Sequence, residues 1–119
     1  MRDFRKLKVW EKAHETALMI SAATKTFPRE ERYGLTSQIR RAAVSNGENI
    51  VEGNGRGSDV EMGRLLWIAL GSAGEPEHDL LLASDLGYLD NEDSERITLN
   101  VAKVKRMLTI FIQKLKADS

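Results

Sequence analysis

The chain has no cysteine, two prolines, two histidines and few aromatic rings: two tryptophans, two tyrosines and three phenylalanines. Without cysteine there are no disulfides and no thiolate metal sites, which fits a reducing compartment. With only His14 and His78 as imidazoles, neither in a hydrolase-like context, nucleophilic catalysis has little to draw on. The basic residues 1–8 are not followed by an apolar run, and nothing approaches the ~20 consecutive apolar residues of a membrane span, so a cytoplasmic protein without a membrane partner is expected. Neither sign of charge prevails. Lys and Arg number 18 against 18 Asp and Glu, so the strong positive field that drives nonspecific nucleic-acid binding is missing and any RNA contact must be local.

What charge there is lies unevenly. Residues 1–27 carry six basic and three acidic groups, and residues 58–88 one basic and six acidic, a pattern suited to head-to-tail association of copies as well as to ordinary solvated helix faces. A length of 119 residues fits one domain. Strand-type alternation is absent, and apolar residues recur at three- and four-residue steps instead.

Four helices are predicted, at about 7–26, 32–52, 58–86 and 91–117. The first places Trp10, Ala13, Ala17, Ile20 and Thr24 on one face and ends at Phe27-Pro28, because the residue before proline is pushed out of helical geometry. The second uses Leu35, Ile39, Ala42, Ala43 and Ile50 and breaks at the glycine-rich residues 53–57. Ser58 and Glu61 form a capping box that starts the third, which runs through Met62, Leu65, Leu66, Ala69, Leu70, Ala73, Leu80 and Leu81 to a stop at Gly87. Pro76 predicts a kink near residues 74–76. Asp90 caps the fourth, whose Ile97, Val101, Val104, Leu108, Phe111 and Leu115 form a regular seam. Short connections make consecutive helices antiparallel, giving an all-α, up-down-up-down four-helix bundle. Met107, Ile110 and Ile112 widen the last helix's apolar arc beyond what one core needs, which predicts an oligomer.

The densest polar stretch, residues 38–59, joins two of these helices and holds most of the candidate site residues. Arg40, Arg41, Arg56 and Arg64 are candidates for nucleic-acid or anion binding. Arg56 precedes a helix start, where unpaired amides and the positive end of the helix favour phosphate, and the flanking glycines allow close backbone approach. Because Gly53, Gly55 and Gly57 follow a helix and not a strand, they are no dinucleotide fingerprint. The competing reading pairs these arginines with Glu48, Glu52 or Asp59 to brace the corner. Ser45, Asn49 and Glu52 share one helix face, where a structural hydrogen-bond network is expected. Glu11-x-x-His14 and Glu75-x-x-His78, with Glu52 and Glu95, nominally offer a carboxylate-bridged di-metal site, but Glu11 and Glu75 flank the apolar stripes, so solvated side chains and no metal or other cofactor are expected. Trp10 and Trp67 have the spacing of core or interface residues, with base stacking as the alternative.

Several segments in order make the chain resemble the 23S ribosomal-RNA intervening-sequence protein family, also called the four-helix bundle protein family, over nearly its whole length. They are residues 4–10 with Lys12, Ala13 and His14, residues 27–42, Asn49-Ile50, Glu52-Gly53, residues 55–59, residues 68–72 and residues 85–88. The resemblance implies a non-enzymatic bundle that forms a homopentamer. A related branch looks like the accessory proteins of diversity-generating retroelements, which implies RNA or DNA and a reverse transcriptase as partners. The chain departs from the family pattern at Asn46-Gly47, where an apolar residue and proline are usual, and at Asn54, where an aromatic is common. Ala73 and Pro76 stand where residues are usually leucine-like, with Gly63 and Gly74 nearby as helix-weakening residues. The expected function is therefore a non-enzymatic oligomeric scaffold associated with RNA or DNA. The alternatives are a di-metal enzyme or a purely structural ring.

Overall fold

A computed structural model describes residues 3–118. Among them there are no strands, and five helices, α1 (Lys8–Ala23), α2 (Leu35–Asn54), α3 (Asp59–Ser72), α4 (Gly74–Asp85) and α5 (Asn91–Asp118), build an elongated bundle 47 Å long. α3 and α4 together occupy one position of the bundle, since both pack between α2 and α5, while α1 packs against the other flanks of the same two helices. The all-α antiparallel bundle expected from the sequence is the architecture.

The local signals act where the sequence places them. The Ser58 hydroxyl accepts from the Glu61 amide at 3.2 Å and starts α3, and the Asp90 carboxylate accepts from the Asp93 amide at 2.8 Å and starts α5. Gly87, at φ 80°, supplies the left-handed residue that ends α4. The helix predicted over 58–86 is two helices joined at Ala73. Pro76 sits in the first turn of α4, where an amide would have no partner within that helix, so restarting there accommodates the missing N–H. Before α2, a 3-10 turn at Arg29–Glu31 delays the helix to Leu35, and Glu31 closes its start by accepting from the Leu35 amide at 3.3 Å and the Tyr88 hydroxyl at 3.0 Å.

Two predicted faces are rotated. In α1 the buried residues are Val9, Ala13, Thr16 and Ile20, so the core stripe runs beside Trp10 and Ala17, both of which stay half-buried. In α5 the core continues from Leu108 to Ile112 and Leu115, and Phe111 packs at its edge. Both helices carry adjacent apolar residues, and the partner helices select which goes inward.

The interior falls into two clusters. One gathers Val9, Ile50, Leu66 and Leu108 toward one end; the other gathers Ile20, Ile39, Leu80 and Ile97 toward the other end. Where they meet, at the α3–α4 break, lies a cavity of about 20 Å³ lined by Ala13, Thr16, Asn46, Ala73 and Pro76 among others, room for about one water. Asn46, Ala73 and Pro76, three of the small or polar residues singled out in the sequence, thus mark the seam between the two halves of the core. Asn46 crosses it: its buried amide donates to the Ala69 carbonyl at 2.6 Å, tying α2 to the last turn of α3.

Candidate functional site

The four candidate arginines do not converge. Residue 40 and the end of α2 at Asn54 stand about 21 Å apart along the axis at the helical rise, and Arg56 lies just beyond that end, so the group divides into a pair in the first half of α2 and a pair at the α2–α3 corner. Arg40 lies along α1: its Nε donates to the Thr24 hydroxyl at 2.7 Å and its terminal nitrogen to the Ser21 carbonyl at 3.4 Å. Arg41 is exposed, with no ion pair or hydrogen bond among the described residues. At the corner Arg56 pairs with Glu52 at 2.7 Å and Arg64 with Glu61 at 3.3 Å. Glu52 is one of the bracing partners named from the sequence; Glu61 is not, and it is also the residue whose amide the Ser58 cap holds. Both pairs are solvent-exposed, contribute little to stability and neutralise the charge an anion would seek.

The network expected of Ser45, Asn49 and Glu52 is not formed. Ser45 and Glu52 face solvent, Asn49 is half-buried, and Glu52 is committed to Arg56. The buried amide is instead Asn46, one position along, where a 100° turn of the helix brings it to the core. Its burial is legible afterwards from its seven-residue spacing to Ile39 and Gly53, both buried.

The nominal metal set is dispersed as well. Glu11, His14, Glu52, Glu75, His78 and Glu95 are all exposed, and no three histidine or acidic side chains among the described residues come together around a common point. His14 is occupied otherwise. Its ring stacks on Trp10 with centroids 4.7 Å apart and planes 12° from parallel, and Phe4 meets Trp10 edge-on at 5.0 Å.

These rings form one end of the feature that sequence reasoning missed, an open groove of about 700 Å³ between α1 and α2. Its floor is Ala13, Ala17, Ala43 and Gly47, small residues that let the helices approach and leave space above them; Leu18, 59% exposed, and Val44, 53% exposed, form its walls. The signal was present in the alanine and glycine positions, but small residues read equally well as core. On the far side of the bundle a second groove, about 480 Å³, runs between α3 and α5 along Val60, Gly63, Trp67, Ile112 and Leu115, with Trp67 63% exposed. Exposed apolar side chains thus line grooves on two opposite faces of the bundle.

The family described as 23S rRNA-intervening sequence protein matches residues 5–110. Among solved structures, the chain is similar to a protein of unknown function from the S23 ribosomal protein family of Bacteroides thetaiotaomicron, with 27% identity, a TM-score of 0.78, and coverage of 87% of this chain and 97% of that one. No curated protein matches it.

Proposed function

Because the chain belongs to the 23S rRNA-intervening sequence protein family, we propose that it is a non-enzymatic, cytoplasmic scaffold that assembles with further copies of itself and associates with RNA or DNA. A ring of five is the stoichiometry that the family resemblance suggests. The observation that carries the assembly is the pair of unpartnered apolar grooves on opposite faces of the bundle, the α1–α2 groove walled by Leu18 and Val44 and the α3–α5 groove walled by Val60 and Trp67. Two different faces favour head-to-tail contacts, in which one surface of each copy meets another surface of the next and the series closes into a ring. The uneven charge, basic in residues 1–27 and acidic in residues 58–88, supports the same arrangement.

Catalysis has no part in this reading: the glutamates and histidines of the nominal metal set are exposed, and no three histidine or acidic side chains among the described residues gather around a common point. Light scattering over two decades of concentration tests the assembly. The wild-type mass should be a fixed multiple of the chain, and Val44→Glu combined with Leu18→Glu should reduce it to a single chain that keeps its helical circular dichroism. A wild-type protein that stays single at high concentration would remove the scaffold.

A further inference from the structure

The cations best placed to meet a ligand lie outside the α2–α3 corner. Residues 103–117 contain five basic side chains and no acidic one, in a chain whose total charge is zero. Lys103, Arg106 and Lys114 are exposed and recur at three- and eight-residue steps, which turn the helix by 300° and 800° and so return all three to one side of α5. The 11-residue step from Lys103 to Lys114 spans about 16 Å of helix. Lys8 of α1 joins them, sharing with Lys114 a shallow groove of about 450 Å³ over Met107, Ile110 and Phe111.

These charges are less compensated than those at the corner. Arg106, Lys114 and Lys8 make no ion pair among the described residues, whereas Arg56 and Arg64 each hold a glutamate. Lys103 shares the field of Glu15, which Lys12 already pairs at 3.0 Å. The remaining basic residues of the segment are turned elsewhere: Lys105 reaches Glu77 of α4 at 3.5 Å, and Lys116 lines the α3–α5 groove.

We propose that this face of α5, Lys103, Arg106 and Lys114 with Lys8 beside them, binds the phosphodiester backbone of nucleic acid. The proposal rests on the nucleic-acid association proposed above and gives it a location. A row of cations about 16 Å long matches a repeating anion better than a single one, because each strand of a duplex presents a phosphate every ~3.4 Å of axis. No fully exposed aromatic ring among the described residues lies on the face to stack on a base, so phosphate contacts carry the binding and little sequence preference is expected. The acidic segment 58–88 forms α3 and α4, which pack against one flank of α5, while Lys8 on α1 stands on its other flank.

The test is fluorescence anisotropy with labelled single-stranded RNA and DNA oligonucleotides of mixed sequence, titrated at several salt concentrations. The triple variant Lys103→Ala, Arg106→Ala, Lys114→Ala should bind about tenfold or more weakly at low salt and lower the slope of log affinity against log salt by about 2, near 0.7 for each lost contact with a single strand. The charge-keeping triple Lys103→Arg, Arg106→Lys, Lys114→Arg should bind like wild type, and circular dichroism should show all variants equally helical. Loss of binding in Arg40→Ala, Arg41→Ala with none in the α5 triple would overturn the location and leave the association standing. No wild-type binding even at low salt would overturn both, as would binding only to vesicles containing anionic phospholipid.

Discussion

Gln38 of α2 donates to one carboxylate oxygen of Asp79 in α4 at 2.7 Å, and the other oxygen of that carboxylate has no hydrogen-bond partner among the described residues. Asp79 is 1% exposed, so this bond carries most of the polar satisfaction of a group fully withdrawn from water. Gln38→Ala should therefore destabilise the bundle by about 1–3 kcal/mol in urea unfolding. The loss should shrink when Asp79→Leu is present in the same chain, because the group needing a partner is then gone. Equal losses in the two backgrounds would show that Gln38 acts through something other than Asp79.

Asn46 and the cavity beside it make a second prediction. Asn46→Ala removes a buried hydrogen bond to the Ala69 carbonyl, which keeps the Ala73 amide at 3.0 Å and the Ser72 hydroxyl at 3.0 Å as donors. With the acceptor still satisfied, the cost should be about 1 kcal/mol for the bond, plus a term for the enlarged cavity. Amide exchange should quicken around the α3–α4 break before it does at Leu66 or Ile97.

The glycines of this chain are not equivalent. A methyl group on Gly53 would stand 3.3 Å from the Leu65 Cβ and 3.4 Å from the Met62 carbonyl, where α2 and α3 press together, whereas one on Gly63 would meet nothing within 4 Å. Gly53→Val should cost about 1–3 kcal/mol by overpacking. Gly63→Ala, inside α3, should instead stabilise by about 0.5–1 kcal/mol through helix propensity. Thermal unfolding of the two variants should move in opposite directions.

Two side chains couple stability to pH. The hydrogen bond to Glu31, with some burial, pushes the Tyr88 hydroxyl above the ordinary tyrosine value of 10.0. The folded state thus favours the protonated phenol; its contribution is complete below the unfolded value and disappears as pH rises through the higher folded one. Hydrogen bonds from Lys12 first, and then Asn100, hold the Glu15 carboxyl below its usual 4.5, so its contribution is present above that value and disappears as pH falls through the lower folded one. Urea midpoints should decline at both extremes, with Tyr88→Phe flattening the alkaline limb and Glu15→Gln the acid limb. An alkaline limb unchanged in Tyr88→Phe would assign it to other groups.

The family and the fold class were legible before any coordinates because both rest on short-range pattern. Recurrence of Ile39, Ala43 and Ile50, or of Ile97, Val101, Val104 and Leu108, states a helix and its buried side within a few turns, and the Ser58 and Asp90 caps need only residues three positions away. Pro76 likewise announced a kink, since its missing N–H is a property of one residue, but that the chain there forms two helices was not legible from it.

The candidate site was much less legible. Val9 against Trp10, and Phe111 against Ile112, are neighbours of similar apolarity, and which one enters the core depends on the helices packed against them, as far as 100 residues away in the chain. The same holds for charge. A list of arginines gives their number, but only the assembled bundle decides that Arg40 lies on Thr24, that Arg56 and Arg64 hold glutamates, and that Lys8 from the start of the chain stands beside Lys114 near its end. Sequence determined the helices because helix formation is governed by contacts three and four residues apart. The exposed grooves and the unpaired cations were decided by tertiary structure, because they are what remains of each helix surface after its neighbours have covered the rest.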